Sequence, residues 1–457
     1  MAQVSAIILA AGKGTRMKSQ LPKVLHKVSG QSMVQHVLNA VEGAGVTNPI
    51  VVIGHGAQLV KEMLGDRVSF ALQAEQLGTG HAAMQTKDYL DKGEGNVIVL
   101  CGDTPLITQE TIAQLLADHT AAQGSATVLT AILEDPTGYG RIVRSAAGLV
   151  EGIVEHKDAT DEQRDIQEVN TGVYCFKTPD LFAALEQITP ANAQGEYYLT
   201  DVLGILKQEG KKVGATVLND PDELMGINDR AQLAVAERLM RQRINHQVMM
   251  SGVTIIDPSS TFIDAGVRIE PDTIIHPFTF IQGQTTIGSS CNIGPGSRLV
   301  NAVVADEVEI SNSIVLDSSI GAQTVIGPYA YIRPGTQLAE NVKVGDFVEI
   351  KKSVIGKGSK VPHLSYIGDS HIGQGVNIGA GTITCNYDGH NKYPTIIGDG
   401  AFIGSNSNLV APVEIGEGAM TAAGSTITKN VPANSLGVAR NKQTNLQNWV
   451  LSKNKEQ

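Results

Sequence analysis

Three places in the sequence gather side chains that could do chemistry. The first is Ile7-Ile8-Leu9-Ala10-Ala11-Gly12-Lys13-Gly14-Thr15-Arg16-Met17, followed by Leu21-Pro22-Lys23. An apolar strand there enters a glycine-containing loop. Small residues let backbone N–H groups approach phosphate oxygens, and Lys13, Arg16 and Lys23 add positive charge. The run is neither a P-loop, which would end in Gly-Lys-Ser/Thr, nor the dinucleotide GxGxxG. Taken alone it also fits a simple tight turn. The second place is Val97-Ile98-Val99-Leu100 leading into Cys101-Gly102-Asp103-Thr104-Pro105-Leu106. A carboxylate at the end of a buried strand can hold Mg²⁺, which favours oxygen ligands and bridges phosphates. Mn²⁺ accepts the same ligands, and a helix-cap role for Asp103 competes with both.

The third place is His363-Leu364-Ser365-Tyr366-Ile367-Gly368-Asp369, with Lys351-Lys352 before it and Asn377-Ile378-Gly379-Ala380 after it. An imidazole with an ordinary pKa near 6.5 suits a general base at neutral pH. The lysines offer a site for an anion, although a solvated pair is the plainer reading. The isolated His276 and His371 read as surface residues.

The element that must position His363 is legible in a six-residue period. Ile263, Ile269, Ile275, Ile281, Ile287, Ile293 and Leu299 form one run. Ile320, Ile326, Ile332, Leu338, Val344 and Ile350 form a second, and Ile397, Ile403, Leu409 and Ile415 a third. Six matches neither the helical 3.6 nor an isolated strand. It is the hexapeptide signature of a parallel β-helix, in which three hexapeptides make a triangular coil of about 18 residues. Neighbours on one corner are then one coil apart, which puts His363 within one or two coils of Arg333 and Lys351. The stretch from Cys385 to Thr395, carrying Lys392, breaks the phase and is expected to be extruded as a loop, where function concentrates. A β-sandwich with accidental spacing is the competing fold.

The first 228 residues have another texture. Short β-rich runs (5–10, 50–53, 96–100, 126–132, 173–176) alternate with helical stretches (33–42, 58–63, 108–117, 181–185, 199–209). This predicts an α/β domain over 1–228, a Rossmann-like, mostly parallel sheet with helices on both faces and ligands at the carboxyl ends of its strands. Asn228-Asp229 offers a helix cap, and Leu233, Ala236, Met240, Ile244 and Val248 recur at helical spacing, with Arg238, Arg241 and Arg243 facing elsewhere. Residues 229–250 therefore read as a linker helix acting as a rigid spacer, and 251–457 as the all-β domain. From Arg440 the period is lost and a polar tail follows.

Composition narrows the function classes. A chain of 457 residues exceeds one core. A net charge of −11 argues against nucleic acid or an anionic membrane as the partner. The four cysteines, Cys101, Cys175, Cys291 and Cys385, show no metal spacing and read as reduced thiols of a cytoplasmic protein. The apolar stretch Val4–Ala11 is too short for a membrane span and lacks the basic flank of a signal peptide.

LxAGxGxRM followed by PK and GDxPL resembles the signature of the sugar-1-phosphate nucleotidyltransferases. The similarity extends to Gln73-Ala74-Glu75-Gln76-Leu77-Gly78-Thr79-Gly80-His81, Thr137-Gly138-Tyr139-Gly140-Arg141, Val154-Glu155-His156-Lys157, Asn170-Thr171-Gly172 and Asn192 to Tyr198. Over essentially the whole chain it resembles the family of bifunctional N-acetylglucosamine-1-phosphate uridyltransferases and glucosamine-1-phosphate N-acetyltransferases. The resemblance implies that Leu9, Ala10, Ala11, Gly12, Lys23 and Gly102 meet the nucleotide and its phosphates. Gln73, Gly78 and Thr79 would read uracil, and Gly140, Glu155 and Asn170 would hold the N-acetylglucosamine. Asp103 and Asn228 would ligate Mg²⁺.

In the second half the resemblance makes His363 the general base. Arg333, Lys351, Tyr366, Asn377 and Lys392 would bind the sugar phosphate. Ala380, Asn386, Tyr387, Ser405, Ala423 and Arg440 would line the acetyl-CoA site. It further implies a left-handed β-helix, a homotrimer, and the substrates UTP, acetyl-CoA, glucosamine-1-phosphate and N-acetylglucosamine-1-phosphate. The product would serve cell-wall and lipopolysaccharide synthesis. Two alternatives remain at this point. One is a nucleotidyltransferase of single activity whose β-helix only oligomerises or binds an effector, and the other is a non-enzymatic interaction protein.

Overall fold

The computed structural model describes residues 4–90, 95–146, 148–192 and 194–453; Ala193, within the Asn192–Tyr198 motif, lies outside them. The chain divides into two compact units, Met1–Met240 and Arg241–Gln457. The division falls inside the helix Arg230–Met250. Asp229 caps that helix by accepting a hydrogen bond from the Gln232 N–H at 2.9 Å. Arg241 lays its guanidinium over the Phe262 ring, 4.6 Å from the centroid, so its charge is shared with an aromatic face.

The first unit is built on a nine-stranded sheet. Its strands are β1 (Val4–Ala10), β2 (Ile50–Ile53), β3 (Ser69–Leu72), β4 (Asn96–Cys101), β5 (Ala126–Ile132), β6 (Arg141–Arg144), β7 (Val150–Val154), β8 (Glu168–Lys177) and β9 (Val213–Val217). The order is β9-β5-β8-β4-β1-β2-β3, with the β6–β7 hairpin hung on β8. β1, β2 and β4 are parallel, and β8 runs antiparallel between β4 and β5. In β1, Ile7 and Ile8 point to opposite faces and both are fully buried. That is why the strand reads as a continuous apolar run, since a core lies on each side of the sheet. The core on one side takes Val34, Val37, Leu38 and Val41 of the helix Met33–Gly43. The other takes Leu181, Leu185, Val202 and Leu206 of two shorter helices.

The second unit is the predicted prism. Three parallel sheets of 11, 10 and 9 strands form its faces, the arrangement of a left-handed β-helix of hexapeptide repeats. The aliphatics of the period stack in register, as in Ile275 on Ile293 and Ile281 on Leu299. The gap between the first two sequence runs is made of shorter turns of the same prism: Ile293 pairs with Ile310 and Leu299 with Val315. Two residues ahead of many aliphatics stands a buried hydroxyl, such as Thr279 or Thr285. These two donate to a carbonyl of their own turn, Thr279 to His276 at 2.8 Å and Thr285 to Gln282 at 2.7 Å, while Thr273 and Thr324 reach carbonyls of the next coil. Pairing of this kind offsets their burial, and among the described residues Thr395 Oγ1 is the member left without a partner. The extruded segment is narrower than the sequence suggested. Cys385 closes one strand and Thr395 opens the next, because both still pair with adjacent coils.

Candidate functional sites

At the carboxyl ends of β1 and β4 the glycine-rich loop meets Asp103. Leu9 pairs with Cys101, and the Gly102 N–H donates to the Leu9 carbonyl at 2.9 Å. Ala10 and Ala11 are buried, and Gly12 is exposed at the mouth of the loop. Gly14 has φ +59°, and a Cβ there would stand 2.5 Å from Lys23 Cβ. Only glycine combines that left-handed backbone with so close an approach. The approach delivers the Lys23 ammonium to Asp103, with which it forms an ion pair, and to Asn228 Oδ1 at 2.7 Å. Arg16 donates to the same Asn228 oxygen at 2.8 Å.

The oxygens of Asp103 and Asn228 therefore converge on one positive charge, the arrangement a divalent ion requires. Among the described residues no three His, Cys, Asp or Glu side chains are grouped to hold a metal by themselves. One carboxylate and one amide suit an ion that takes its remaining ligands from phosphates and water. Beside this point a pocket of about 400 Å³ is lined by Leu9, Thr79, Glu155, Asn170, Tyr174 and Tyr198, among others. Asn170 is locked by Tyr174, its amide and the phenol exchanging hydrogen bonds at 2.8 and 3.0 Å. Burial, with Asp158 and Asp201 nearby, raises the Glu155 carboxyl above its usual range. Gly140 packs beside it: a Cβ there would lie 3.5 Å from the Glu155 oxygens. Burial pushes the Cys101 thiol up to about 12, which leaves it inert as a nucleophile.

Of Gln73, Gly78 and Thr79, Thr79 lines this pocket. The buried Gln73 amide donates to the Gly78 carbonyl at 3.1 Å, and Thr79 Oγ1 accepts from the Leu199 N–H at 3.1 Å. Gly78 sits at φ +108°, where a Cβ would stand 2.6 Å from the Tyr197 carbonyl.

In the prism the sequence candidates fall into two columns that flank one corner. His363 ends a strand that pairs with the one below it, Asp346 opposite His363. Corner hydrogen bonds continue the column: Gly381 N–H to the His363 carbonyl, Asn406 to Ala380 at 2.7 Å and Gly424 to Ser405 at 2.8 Å. Ala380, Ser405 and Ala423 thus follow His363 from coil to coil. Arg440 joins the end of the line, its Cδ 4.0 Å from where a Gly424 Cβ would stand. Asn377 belongs to the same face and stands next to Lys360 of the preceding coil. On the adjoining sheet Arg333 pairs with Glu349 at 2.6 Å. Lys351, buried, reaches Asp369 at 3.1 Å, and the Asn386 amide reaches the same carboxylate at 2.5 Å. Tyr366 lies over Gly368, where a Cβ would meet its hydroxyl.

Lys351 and Lys392 are brought together against their charges. The Lys351 contact pulls Lys392 below the usual lysine range. Burial disfavours the Lys351 ammonium, but Lys392 and Asp369 hold its proton and leave it raised. Lys352 turns out at the corner with φ +45°, so the sequence pair Lys351-Lys352 is split between site and solvent. Tyr387 is exposed on the loop, its hydroxyl 2.5 Å from the Gly389 carbonyl. Sequence reasoning missed Asp346 and Glu349 and gave Asp369 no role. Each lies about one coil from its basic partner, so opposite charges at coil spacing were the available signal.

Comparison with known proteins covers both halves. The nucleotidyl transferase family pattern matches residues 5–222. The bacterial transferase hexapeptide pattern of six repeats matches 266–301, 317–352 and 394–429. The "Bifunctional protein GlmU" of Heliobacterium modesticaldum is 56% identical over 451 residues, 99% of this chain and 98% of that protein. That of Geobacillus thermodenitrificans is 56% identical over 445 residues, 97% of each. That of Brevibacillus brevis is 54% identical over 445 residues, covering 97% and 96%. Likeness at that level, spanning both compact units in one alignment, shows that the chain belongs to the GlmU family of bifunctional proteins.

Proposed function

We propose that the chain makes UDP-N-acetylglucosamine in two steps, acetylating glucosamine-1-phosphate in the prism and uridylating the product in the α/β unit. In the first step His363 takes a proton from the substrate amine as its nitrogen bonds to the thioester carbon of acetyl-CoA. The C–S bond breaks, and the proton passes from the imidazolium to the departing sulfur. Lys351, Lys392 and Arg333 hold the sugar phosphate, with Tyr366 and Asn377 on the sugar. The paired lysine ammoniums support this role, because an anion between them relieves their repulsion. Ala380, Asn386, Tyr387, Ser405, Ala423 and Arg440 line the coenzyme along the coil edges.

In the second step a phosphate oxygen of N-acetylglucosamine-1-phosphate attacks the α-phosphorus of UTP in line, and pyrophosphate leaves. Glu155, Asn170 and Gly140 orient the sugar, while Gln73, Gly78 and Thr79 read uracil. Leu9 to Gly12 and Gly102 bring backbone to the phosphates, and Lys23 neutralises them; this is positioning and electrostatics without a covalent intermediate. Mg²⁺ bound by Asp103 and Asn228 would supply further charge neutralisation at the phosphates.

His363 carries this reading over a nucleotidyltransferase of single activity. A prism that only oligomerised would have no use for an imidazole held on one nitrogen by a carboxylate, with two lysines across the corner. One incubation with glucosamine-1-phosphate, acetyl-CoA, UTP and Mg²⁺ tests it. UDP-N-acetylglucosamine and free CoA in equal amounts are expected; uridyl transfer without CoA release would establish the single-activity alternative.

The acting form is a homotrimer. Tyr329 and Phe347 stack at 5.4 Å on an outward corner, with Leu364 on the next coil, and the tail exposes Leu446, Trp449, Val450 and Leu451. Apolar surface of this kind calls for a partner. Sedimentation equilibrium giving a monomer would refute the assembly.

A further inference from the structure

His363 and Asp346 share one register position in adjacent coils, and Nδ1 lies 2.6 Å from the Asp346 Oδ1. The hydrogen bond from His363 holds the Asp346 carboxyl below its usual range, so it is ionised at neutral pH and can only accept. The proton of a neutral imidazole must then sit on Nδ1, which leaves the lone pair on Nε2. Backbone bonds fix both partners. The Leu364 N–H donates to the Asp346 carbonyl at 3.0 Å, and Ser365 Oγ donates to the His363 carbonyl at 2.8 Å.

We infer that Asp346 is a positioning residue for acetyl transfer, holding His363 in the tautomer whose free Nε2 takes the amine proton. The inference rests on the reading of His363 as the base. Carboxylates do the same for histidine in serine hydrolases, where they set tautomer and ring orientation and stabilise the imidazolium. Here the side chains of His363 and Asp346 are 56% and 37% exposed, so water can partly replace the carboxylate. Its loss should cost roughly tenfold, a fraction of the roughly 10²–10⁴ contributed by a positioned base.

The test uses the full chain and Asp346→Ala. The kcat for acetyl transfer should fall roughly tenfold, with KM for glucosamine-1-phosphate and acetyl-CoA unchanged and uridyl transfer intact. In ¹⁵N-histidine NMR, His363 should be protonated on Nδ1 in the parent and become a mixture of tautomers in Asp346→Ala. Because Asp346 acts through His363, Asp346→Ala should cost nothing further when added to His363→Ala. A parent imidazole protonated mainly on Nε2 would overturn the inference. So would an Asp346→Ala penalty that persists undiminished in the His363→Ala background. A parental rate in His363→Ala alone would instead sink the base reading, and the NMR tautomer would then show separately whether Asp346 still orients the ring.

Discussion

Replacing Lys23 with Met should make the protein bind a divalent ion more tightly before any nucleotide is present. Lys23 stands between Asp103 and Asn228, paired with the first and 2.7 Å from the second. A metal entering there must displace the ammonium from both oxygens. If Lys23 withdraws only to about 4 Å from a divalent ion, their repulsion is about 2 kcal/mol even at the dielectric constant of water, roughly thirtyfold in affinity. The broken Lys23 contacts add to that. Met keeps the length of the side chain without the charge and should recover at least this factor. Mn²⁺ titration followed by electron paramagnetic resonance measures it directly, without turnover. With UTP bound the advantage should shrink, because phosphate oxygens then engage the Lys23 charge. Lys13→Met, which removes an exposed charge from the same loop, should change affinity far less. Unchanged or weaker Mn²⁺ binding by Lys23→Met would refute the argument that these two oxygens form the cation site.

Asp103→Ala should abolish uridyl transfer and leave acetyl transfer near normal, as coupled assays of the two products would show; loss of both with the fold intact would contradict separate sites. His363→Ala should slow acetyl transfer roughly 10²–10⁴-fold and spare uridyl transfer, and its residual rate should climb with pH as solvent deprotonates the amine. A flat residual profile would contradict that. Glu155→Gln should raise Tm at about pH 8 and much less at about pH 4. The Glu155 carboxyl is raised by burial and by Asp158 and Asp201, so the native state favours its proton and loses stability as pH rises through the folded-state value. Equal shifts at both pH values would refute the assignment.

The prism was legible because its period is enforced at every coil. Nearly every aliphatic of the three runs meets another in the next coil. Where a polar residue replaces one, as Thr384 does beside Leu409 and Thr421 beside Ile403, its hydroxyl is paired with a backbone N–H. The α/β sheet was legible in its central strands for a related reason, since Ile7 and Ile8 are apolar toward both faces. The β6–β7 hairpin and edge strand β3 were missed because one side of each is only partly covered and Leu72 is exposed outright. The antiparallel course of β8 was also beyond reach, since strand direction depends on the path of the connection and not on the residues within it.

The two sites differed in legibility for a physical reason. The proposed nucleotide site is built from loops whose shape demands particular residues. Gly14 must lie close under Lys23, and Gly78 must avoid the Tyr197 carbonyl, so the geometry is written locally as motifs. The prism site is written across coils. Arg333 finds Glu349, Lys351 finds Asp369 and His363 finds Asp346, each on a neighbouring strand. No local window contains both members of a pair. Reading them requires the register first, and the register is not a uniform 18 residues, since Val344 meets Val361 while Ile326 meets Val344. Once that spacing is fixed, however, the partner of His363 becomes predictable, whereas Glu349 stands opposite Tyr331 and Gly368, not Asp369, stands opposite Lys351. A carboxylate one coil away from a basic residue, at the same distance from its own core aliphatic, shares its edge of the prism. By that rule Asp346, two residues beyond Val344, had to face His363, two residues beyond Val361, and the orientation of the proposed base follows from the stacking that makes the fold.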